Sequence, residues 1–343
     1  PEGRERVSFL GGSDAAGVIG MSPWATPLDV YFAKTGTRPP AGSWMPQARE
    51  RNFKRGKRAE PHAIDMAIEE YGLAVTKRST KAAPNYYVDQ EHAFLAAEID
   101  FEWEVTPEIA ARFDLPEALI GTTQNGEVKS IHPFAAAKFG EAETDEVPVE
   151  YAAQAMHGLM VTGRQLTMFL VLTGWDDLTV YWIRRDDETI AGMRKIEVAF
   201  WTEHVLPRVP PPPTNLPDVT RLFRRMGETS TPATPEIEAQ VAALAKLRAE
   251  AKKIEAQVEE VQFQLGTAIL GAEQLAAPDA PGKHIVYKGA LPILTVTFEQ
   301  QYRLNEEKLK ALHPDVAEEC AKVIQFFVYR IPKPKNAKGT GDA

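Results

Sequence analysis

The stretch Gly126–Lys129, with the sequence Gly-Glu-Val-Lys, sets the narrowest limits on how this chain folds and acts. It lies in a short β-run, and strand side chains alternate with a period of two, so Glu127 and Lys129 are expected on one face of a strand. A carboxylate there can hold a divalent cation while the neighbouring ammonium group meets charge that develops beside it. The spacing alone favours a plain salt bridge on a solvated strand. The chemical interpretation therefore depends on the residues upstream and downstream.

Composition restricts the class of protein. The chain has 343 residues, 44% of them hydrophobic and 25% charged, which is ordinary globular usage and predicts about two domains. Its longest apolar run, Met168–Leu172, is far too short to span a bilayer, so no membrane partner is expected. Cys320 is the single cysteine, which excludes a disulfide within one chain. With no signal-peptide pattern at the start, these features predict a protein of a reducing cytoplasm.

The charge is distributed unevenly along the chain. A net charge of -9 argues against a nucleic-acid partner, but residues 1–60 hold ten Lys or Arg against six Asp or Glu. Most of these bases are concentrated in one segment: Arg49, Arg51, Lys54, Arg55, Lys57 and Arg58. A local positive field can bind a polyanion even on an acidic protein. A solvated loop explains the segment equally well, so both interpretations stay open.

The N-terminal elements put polar residues at helix starts. A short strand and a glycine turn lead to a helix capped near Ser13 or Asp14, and such a helix start can bind an anion. Residues 37–48 are rich in Pro and Gly and are predicted to form a loop. Pro61 is predicted in the first turn of the next long helix, which puts Glu60 at its start.

Strands and helices then alternate, which indicates a mixed α/β fold. Strands are predicted at 73–76, 86–89, 94–99, 126–131, 166–172 and 179–183, and helices at 133–139, 149–163 and 188–205. Asp100 follows the third of these strands, and Gln154 and His157 lie within one turn of each other on the second helix.

The last third of the chain has a different pattern. The prolines of residues 208–217 predict an extended linker, which gives domains at 1–207 and 236–343 around a linker at 208–235. Beyond it, apolar residues recur every three or four positions: Ile237, Val241, Leu244, Leu247, Ala251, Ile254, Val258, Val261 and Leu265. This predicts a coiled-coil seam or a long helical hairpin, followed by a β-hairpin at 284–298 and an amphipathic helix at 305–327. Oligomerisation, partner binding and DNA clamping are all open as roles.

The acidic and polar residues of the first domain form a chemically sensible set, namely Glu60, Asp100, Glu127, Lys129 and Gln154. Two carboxylates and a backbone carbonyl are oxygen ligands of the kind that Mg²⁺ or Mn²⁺ accepts. A lysine beside the metal ion can orient the attacking water or stabilise the charge on a reacting phosphate. The set therefore predicts phosphodiester hydrolysis.

Several ordered motifs surround this set. They are Arg6 with Gly11-Gly12-Ser13-Asp14, Ser22-Pro23-Trp24 with Thr26-Pro27, Lys34-Thr35-Gly36, Gly56 with Glu60-Pro61, Asp100, Glu127-Val128-Lys129, and Val147-Pro148 with Tyr151, Gln154, His157 and Val161-Thr162-Gly163. In order and spacing, residues 4–205 resemble the lambda-exonuclease-like, or YqaJ-type, phage recombinases of the PD-(D/E)xK nuclease superfamily.

The resemblance implies a PD-(D/E)xK nuclease core, with a central mixed sheet flanked by helices, before the helical, coiled-coil extension and its small hairpin. It also implies Mg²⁺-dependent digestion of double-stranded DNA from free 5′ ends, with Mn²⁺ as a substitute. A ring-shaped homo-oligomer, preferably a trimer, would enclose the duplex, and a single-strand annealing protein would pair the exposed strand. The chain would then be encoded by a phage or prophage and act in the bacterial cytosol.

The resemblance assigns roles to the metal-binding and catalytic positions. Asp100 and Glu127, with the carbonyl of Val128, match the metal ligands of the family. Glu60 matches the helical acid that helps to hold a second metal ion or its water. Lys129 matches the catalytic lysine.

Other matched positions support the site or grip DNA. Gln154 matches the glutamine that supports the site, and Arg6 and Ser13 match positions that clasp a terminal 5′-phosphate. The remaining expected DNA contacts are Arg55, Lys57 and Arg58 of the basic segment.

The sequence departs from the family pattern near Asp100. Phe101 and Glu102 follow it where relatives often have glycine, and Glu98 adds an acid that period two would place on the face of Asp100. All five polar site positions are filled by competent residues, which favours an active exonuclease over a silent DNA-binding scaffold. An endonuclease of the same fold differs only in whether a free 5′-phosphate is gripped, and stays as the alternative.

Overall fold

The computed structural model describes residues 6–36, 46–226, 230–269, 283–288, 291–297, 311–312 and 314–315. The chain divides into two compact units, Pro1–Gly227 and Glu228–Ala343. Most of the helix predicted at 305–327 and the side chain of Arg6 lie outside the described residues.

The first unit is a mixed α/β structure. Its elements are α1 (Gly12–Val18), α2 (Pro27–Thr35), α3 (Pro46–Tyr71), β1 (Ala74–Arg78), β2 (Tyr86–Val88), β3 (Ala96–Glu98), β4 (Phe101–Glu104), α4 (Pro107–Arg112), β5 (Thr123–Ile131), α5 (Val149–Thr162), β6 (Leu166–Thr173), β7 (Asp177–Arg184), α6 (Asp187–Phe200) and α7 (Leu216–Met226). Five strands form one sheet in the order β1-β4-β5-β6-β7, and β2 pairs with β3. The pair β5-β6 is parallel, while the other neighbours are antiparallel. The predicted central mixed sheet flanked by helices is confirmed.

The central strand explains how the core is divided. All but the last residue of β6 are buried, because helices cover both faces of the sheet. Phe169 and Val171 face one apolar cluster together with residues of α2, α5 and α6. Leu170 and Leu172 face a second cluster together with residues of α3 and α4. The crossover from β5 to β6 runs through α5, since parallel neighbours cannot be joined by a tight turn.

Helix α3 is longer than predicted. It begins at Pro46, so Glu60 and Pro61 lie in its interior, and the prediction that they start the helix is wrong. Residues 46–60 are mostly Gln, Ala, Arg, Lys and Glu, which favour helix strongly enough to continue it through the proline. Pro61 has no N–H, so the carbonyl of Lys57 loses its helical partner. The basic segment is therefore helical, which rules out its interpretation as a loop.

Other elements differ from prediction in length or type. The segment Pro133–Lys138 is a 3-10 helix, and the first residues, Arg6–Ser8, form a 3-10 turn instead of a strand. Leu10 makes a single parallel bridge to Leu95. Strand β4 and helix α4 follow Asp100, although the sequence patterns predicted neither element. Strand β4 has only four residues, so its alternation of aromatic and acidic side chains is too short to predict a strand.

The segment predicted as an extended linker is partly helical. Helix α7 packs its Asp218 completely out of solvent. That carboxylate accepts hydrogen bonds from Thr26 at 3.0 Å and from Arg221 at 2.8 Å. Arg221 also pairs with Asp29 on α2. The prediction of an extended chain is therefore wrong for Leu216–Met226, which this buried ion pair holds against the first unit.

The second unit contains one long helix, α8 (Pro235–Ile269), and a hairpin of β8 (Lys283–Lys288) and β9 (Leu291–Thr297). The apolar seam lies on a single continuous helix, so the alternative of a helical hairpin is wrong over these residues. No helix in the described part of the chain is long and apolar enough to cross a membrane.

Candidate active site

Strand β5 holds Glu127 and Lys129 on one face, in agreement with the strand period. Lys129 Nζ lies 3.1 Å from Glu127 Oε2 and donates to Gln154 Oε1 at 3.0 Å. Gln154 Nε2 in turn donates to Glu127 Oε2 at 2.8 Å. These three side chains close a triangle of hydrogen bonds between β5 and α5. The triangle fixes the ammonium group of Lys129 in one position.

Asp100 lies in the turn between β3 and β4, beside this triangle. Its Oδ2 accepts a hydrogen bond from the backbone N–H of Val128 at 3.0 Å. Phe101 pairs with Gly126 in the β4-β5 register, which puts the preceding aspartate next to Glu127. The register thus brings together two carboxylates that are separated by many residues in sequence.

Gly126 makes this register possible. A Cβ at this position would fall inside the ring of Phe101, so no other residue fits between the strands. We expect Gly126→Ala to lower the free energy of unfolding by about 1–3 kcal/mol, because overpacking must push β4 away from β5. Chemical denaturation measures this change. Gly192→Ala is the matched control, since a Cβ there has open space in helix α6 and alanine favours helix. Equal stabilities of Gly126→Ala and the unmodified chain would contradict this reading of the register.

Helix α3 adds a carboxylate and a second lysine. Lys57 Nζ donates to Glu60 Oε2 at 3.2 Å and lies 4.0 Å from Asp100 Oδ1. The Lys57 side chain is 44% exposed, while that of Glu60 is 18% exposed. Lys57, predicted from the sequence as a DNA contact, is therefore also a counter-ion that links α3 to the turn before β4.

The electrostatics of the site follow from burial and from the crowding of acids. Burial raises the pKa of Glu127 to about 8, and the neighbouring Asp100 adds to this rise while Lys129 opposes it. Burial and the charge of Asp100 also raise the pKa of Glu60. For Lys57 and Lys129, burial acts to lower the pKa, but the nearby carboxylates outweigh it and raise the pKa. The two lysines therefore stay charged, while Glu60 and Glu127 retain their protons more strongly than usual.

These residues suit a hard divalent cation better than a soft one. No group of three or more His, Cys, Asp or Glu side chains converges on one metal position within the part of the chain described here. The donors available at the site are carboxylate and carbonyl oxygens, which Mg²⁺ and Mn²⁺ prefer. Burial and the nearby charge of Asp100 raise the pKa of Glu127. The same crowding would hold a divalent cation once Lys57 moves aside, so the residues fit the predicted metal ion.

Of the two residues predicted to clasp a 5′-phosphate, Ser13 is the one whose side chain the structure describes. Ser13 is exposed in the first turn of α1, and Asp14 caps that helix by accepting from the N–H of Gly11 at 3.0 Å. A Cβ at Gly12 would lie 3.1 Å from the Gln154 side chain, so this helix start packs directly on the site. The structure thus packs the first turn of α1, which carries Ser13, against Gln154 of the triangle.

The remaining basic residues and the additional acid lie outside the triangle. Arg55 and Arg58 are exposed on α3. They leave the helix in other directions than Lys57, because residues one or two positions apart do not share a helix face. Glu98 is exposed and accepts from Ser79 Oγ at 2.8 Å. Its charge also helps to raise the pKa of Lys57, the lysine that lies beside Asp100.

Glu102, on β4 after Asp100, has a partner of its own. It is buried and forms an ion pair with Arg164 at 3.0 Å. Arg164 also donates to Asn125 at 3.0 Å and to Tyr87 at 2.8 Å. This polar group lies one register step along β4 and β5 from the acids of the site.

A buried pair that the sequence pattern did not reveal supports the site. His157 Nδ1 lies 2.9 Å from Glu197 Oε2, and His157 Nε2 lies 3.0 Å from the carbonyl oxygen of Ala96. Both partners are acceptors, so the ring carries both protons. Burial alone would lower the pKa of His157, but Glu197 and the Ala96 carbonyl outweigh it and raise the pKa. The signals for His157 in the sequence were its three-residue spacing from Gln154 on α5 and its place in the family motif.

Comparison with known proteins finds a family model and a relative that this chain resembles. The family model of the YqaJ-like viral recombinase domain matches residues 3–165. The uncharacterized protein YqaJ of Bacillus subtilis (strain 168) is 29% identical over 206 residues, which is 59% of this chain and 55% of the relative. The chain thus spans about half the length of that relative.

Two solved structures are similar at low identity. An alkaline exonuclease (LHK-Exo) from Laribacter hongkongensis has 18% identity and a TM-score of 0.41, over 60% of this chain and 91% of the exonuclease. A phage related exonuclease from Haemophilus somnus 129PT has 16% identity and a TM-score of 0.35, over 56% of this chain and 91% of that chain.

The matched residues of the family model include every member of the site, from Glu60 on α3 to Gln154 on α5. The resemblance predicted from the sequence motifs is confirmed over this range. Residues 3–165 are therefore similar to the YqaJ-like viral recombinase domain.

Proposed function

We propose that residues 1–207 act as a Mg²⁺-dependent DNA nuclease, a 5′-to-3′ exonuclease that leaves single-stranded 3′ tails for recombination by strand annealing. The observation that carries the proposal is the triangle of Glu127, Lys129 and Gln154 beside Asp100. A carboxylate pair next to a fixed ammonium group is the arrangement that phosphodiester hydrolysis needs. The YqaJ-like domain that contains the triangle supports the choice of DNA as substrate.

The acids would hold the metal ion. Asp100, Glu127 and the carbonyl of Val128 would ligate it, and Glu60 would hold a second ion or its water. A bound Mg²⁺ or Mn²⁺ supplies charge stabilisation at the phosphate and lowers the pKa of a bound water. Cation binding requires that the carboxyl group of Glu127 lose its proton. The pKa of Glu127, about 8, keeps this group partly protonated near neutrality.

Lys129 would act on the reacting phosphate and water. Hydrolysis forms a bond from water oxygen to phosphorus and breaks the bond to the leaving sugar oxygen, which takes up a proton. Lys129 has a raised pKa, so its ammonium form can stabilise the charge that gathers on the phosphate oxygens. Gln154 is a positioning residue, because it accepts from Lys129 and donates to Glu127.

The remaining contacts of the proposal concern the DNA and the assembly. Arg6 and Ser13 would clasp a terminal 5′-phosphate, and Arg55 and Arg58 would meet backbone phosphates beside the acid of α3. A ring-shaped homo-oligomer around the duplex, a single-strand annealing partner and a place in the bacterial cytoplasm complete the proposal. The exposed start of α1 next to Gln154 supports the phosphate clasp.

Substrate ends distinguish the exonuclease from its alternative. We expect the full chain with Mg²⁺ to release nucleotides from the 5′-phosphorylated end of a linear duplex faster than from a 5′-hydroxyl end, because the clasp requires the phosphate charge. A closed circle of the same sequence should stay intact. End-labelled gels measure all three substrates. Cutting of the circle would favour a phage-type endonuclease, and binding without cutting of any substrate would favour a silent DNA-binding scaffold.

Lys57 gives a prediction that does not depend on activity. A cation that binds Glu60 and Asp100 must first displace the ammonium group of Lys57 from both. Exposed ion pairs are worth about 0.2–1 kcal/mol each, so the loss of both is expected to tighten Mn²⁺ binding in Lys57→Met by about twofold to thirtyfold. Isothermal titration with Mn²⁺ alone measures the dissociation constant.

Arg58→Met is the matched control for Lys57→Met. It removes a neighbouring positive charge from α3 that is exposed in the structure, so its effect on Mn²⁺ affinity is expected to be smaller. Weaker or unchanged Mn²⁺ binding in Lys57→Met would show that Lys57 does not compete with the cation. Once displaced by the cation, Lys57 would be free to contact a substrate phosphate, as the sequence predicts.

A further inference from the structure

Helix α8 carries a continuous apolar seam that faces solvent. None of its residues is buried. The exposed fractions are 62% for Leu247, 59% for Ile254, 50% for Val258 and 53% for Val261. One exposed apolar side chain is ordinary on a protein surface, but a stripe of them along a 35-residue helix marks an interaction surface.

The stripe follows the heptad pattern of a coiled coil. In the assignment that fits best, the a positions are Ile237, Leu244, Ala251, Val258 and Leu265, and the d positions are Gln240, Leu247, Ile254 and Val261. From Leu244 onward the seam is restricted to a and d, while Val241 before it occupies an e position. A seam of a and d residues is the pattern of two helices that pair, rather than of one helix lying on a broad core. The described structure leaves this seam without a cover, so a helix of similar length is the expected partner.

Charges beside the seam select the direction of pairing. The flanking e positions include Arg248 and Glu255, and Glu250 occupies a g position. In a parallel pair, g contacts the e residue of the next heptad, so Glu250 would face Glu255 of the other helix on both sides. In an antiparallel pair e residues face each other, and Arg248 would face Glu255 twice. The charges therefore oppose parallel self-pairing and favour antiparallel self-pairing.

The same charges fix the register. When Arg248 faces Glu255, Ala251 packs against Ile254 of the other helix, which sets a small residue against a large one at both central layers. Leu247 then faces Val258, and the two helices overlap along nearly their whole length. A shift by one heptad in either direction would place Arg248 opposite Arg248 or Glu255 opposite Glu255.

We propose that α8 pairs with α8 of a second copy of this chain as an antiparallel two-stranded coiled coil with Arg248 opposite Glu255, a contact separate from any ring formed by the first unit. Self-complementarity of charge, of side-chain size and of length identifies a second copy as the occupant. The pairing does not depend on the nuclease proposal, because no residue of the active site takes part.

Charge reversal in the full chain tests the direction of pairing. Arg248→Glu and Glu255→Arg should each place like charges opposite one another and reduce the molar mass from light scattering by a factor of two at equal concentration. The double variant restores both pairs and should recover the original mass. A parallel pair gives the opposite result for Glu255→Arg, which would then relieve the repulsion from Glu250 and strengthen association.

Two substitutions of apolar residues by aspartate test the seam itself. Ile254→Asp removes a d residue and should halve the mass, whereas Phe263→Asp is the control at an f position that is 69% exposed on the same helix. Circular dichroism confirms that the variants keep their helix content. The proposal is overturned if Ile254→Asp leaves the mass unchanged, which would indicate that another segment of the same chain covers the seam. It is equally overturned if the double charge variant fails to recover the mass.

Discussion

Replacing Lys129 by alanine is expected to lower DNA cleavage by about a hundredfold or more at saturating Mg²⁺, while DNA binding is kept. The ammonium group is held by Glu127 and Gln154, so no other cation of the described structure occupies its position. Its loss also raises the pKa of Glu127 further, because Lys129 opposes the effect of burial. Saturating Mg²⁺ separates the loss of catalysis from this loss of metal affinity. Initial rates on a linear duplex and a filter-binding assay in Ca²⁺ measure the two properties.

Lys138→Ala is the control for this prediction, since Lys138 is exposed and lies outside the triangle. It should cleave at the rate of the unmodified chain. Retained cleavage by Lys129→Ala would remove Lys129 from the catalytic role. Loss of DNA binding together with cleavage would indicate a structural defect.

Replacing His157 by leucine is expected to lower the free energy of unfolding by about 3–5 kcal/mol, because it leaves the buried carboxylate of Glu197 without its counter-ion. Both side chains are completely inaccessible, and Glu197 Oε1 already has no hydrogen-bond partner. The double variant His157→Leu with Glu197→Leu should recover most of the loss, since two apolar side chains leave no charge buried. Urea denaturation measures each variant. A double variant as unstable as the single one would contradict the ion-pair explanation.

The same pair predicts a pH dependence of stability. The pKa of His157 is raised in the folded protein, so its contribution is complete below about pH 6.5, the ordinary pKa of histidine. The contribution is lost as the pH rises through the folded pKa. The stability of the unmodified chain relative to the double variant should therefore fall between neutral and alkaline pH. A relative stability that rises with pH would contradict a charged His157.

Local patterns predicted the site more completely than they predicted the elements. Period-two alternation placed Glu127 and Lys129 together, because a strand fixes side-chain direction regardless of its neighbours. Gln154 was placed near them only through the family motif. Neither argument could show that Lys57 turns to Glu60 and Asp100, since this depends on a helix that runs through Pro61.

Long-range partners escaped prediction for the same reason. Glu197 is separated from His157 by a strand pair and a turn, and no local pattern links an acid on α6 to a histidine on α5. Asp218 likewise looked like part of an extended linker, although Thr26 and Arg221 bury it. Prolines indicate where a chain is extended, but they do not exclude a helix shortly after them. Tertiary contacts decided all these cases.

The most direct test of the proposed chemistry is the digestion of a linear duplex by the full chain as Mg²⁺ is added stepwise and then removed with a chelator. Asp100→Asn, which keeps the size of the side chain but removes a ligand charge, is assayed beside the unmodified chain. We predict nucleotide release that rises with Mg²⁺, stops with chelator and is absent in Asp100→Asn. Release that persists in chelator or in Asp100→Asn, or no release at any Mg²⁺ concentration, would contradict a metal-dependent nuclease at this site.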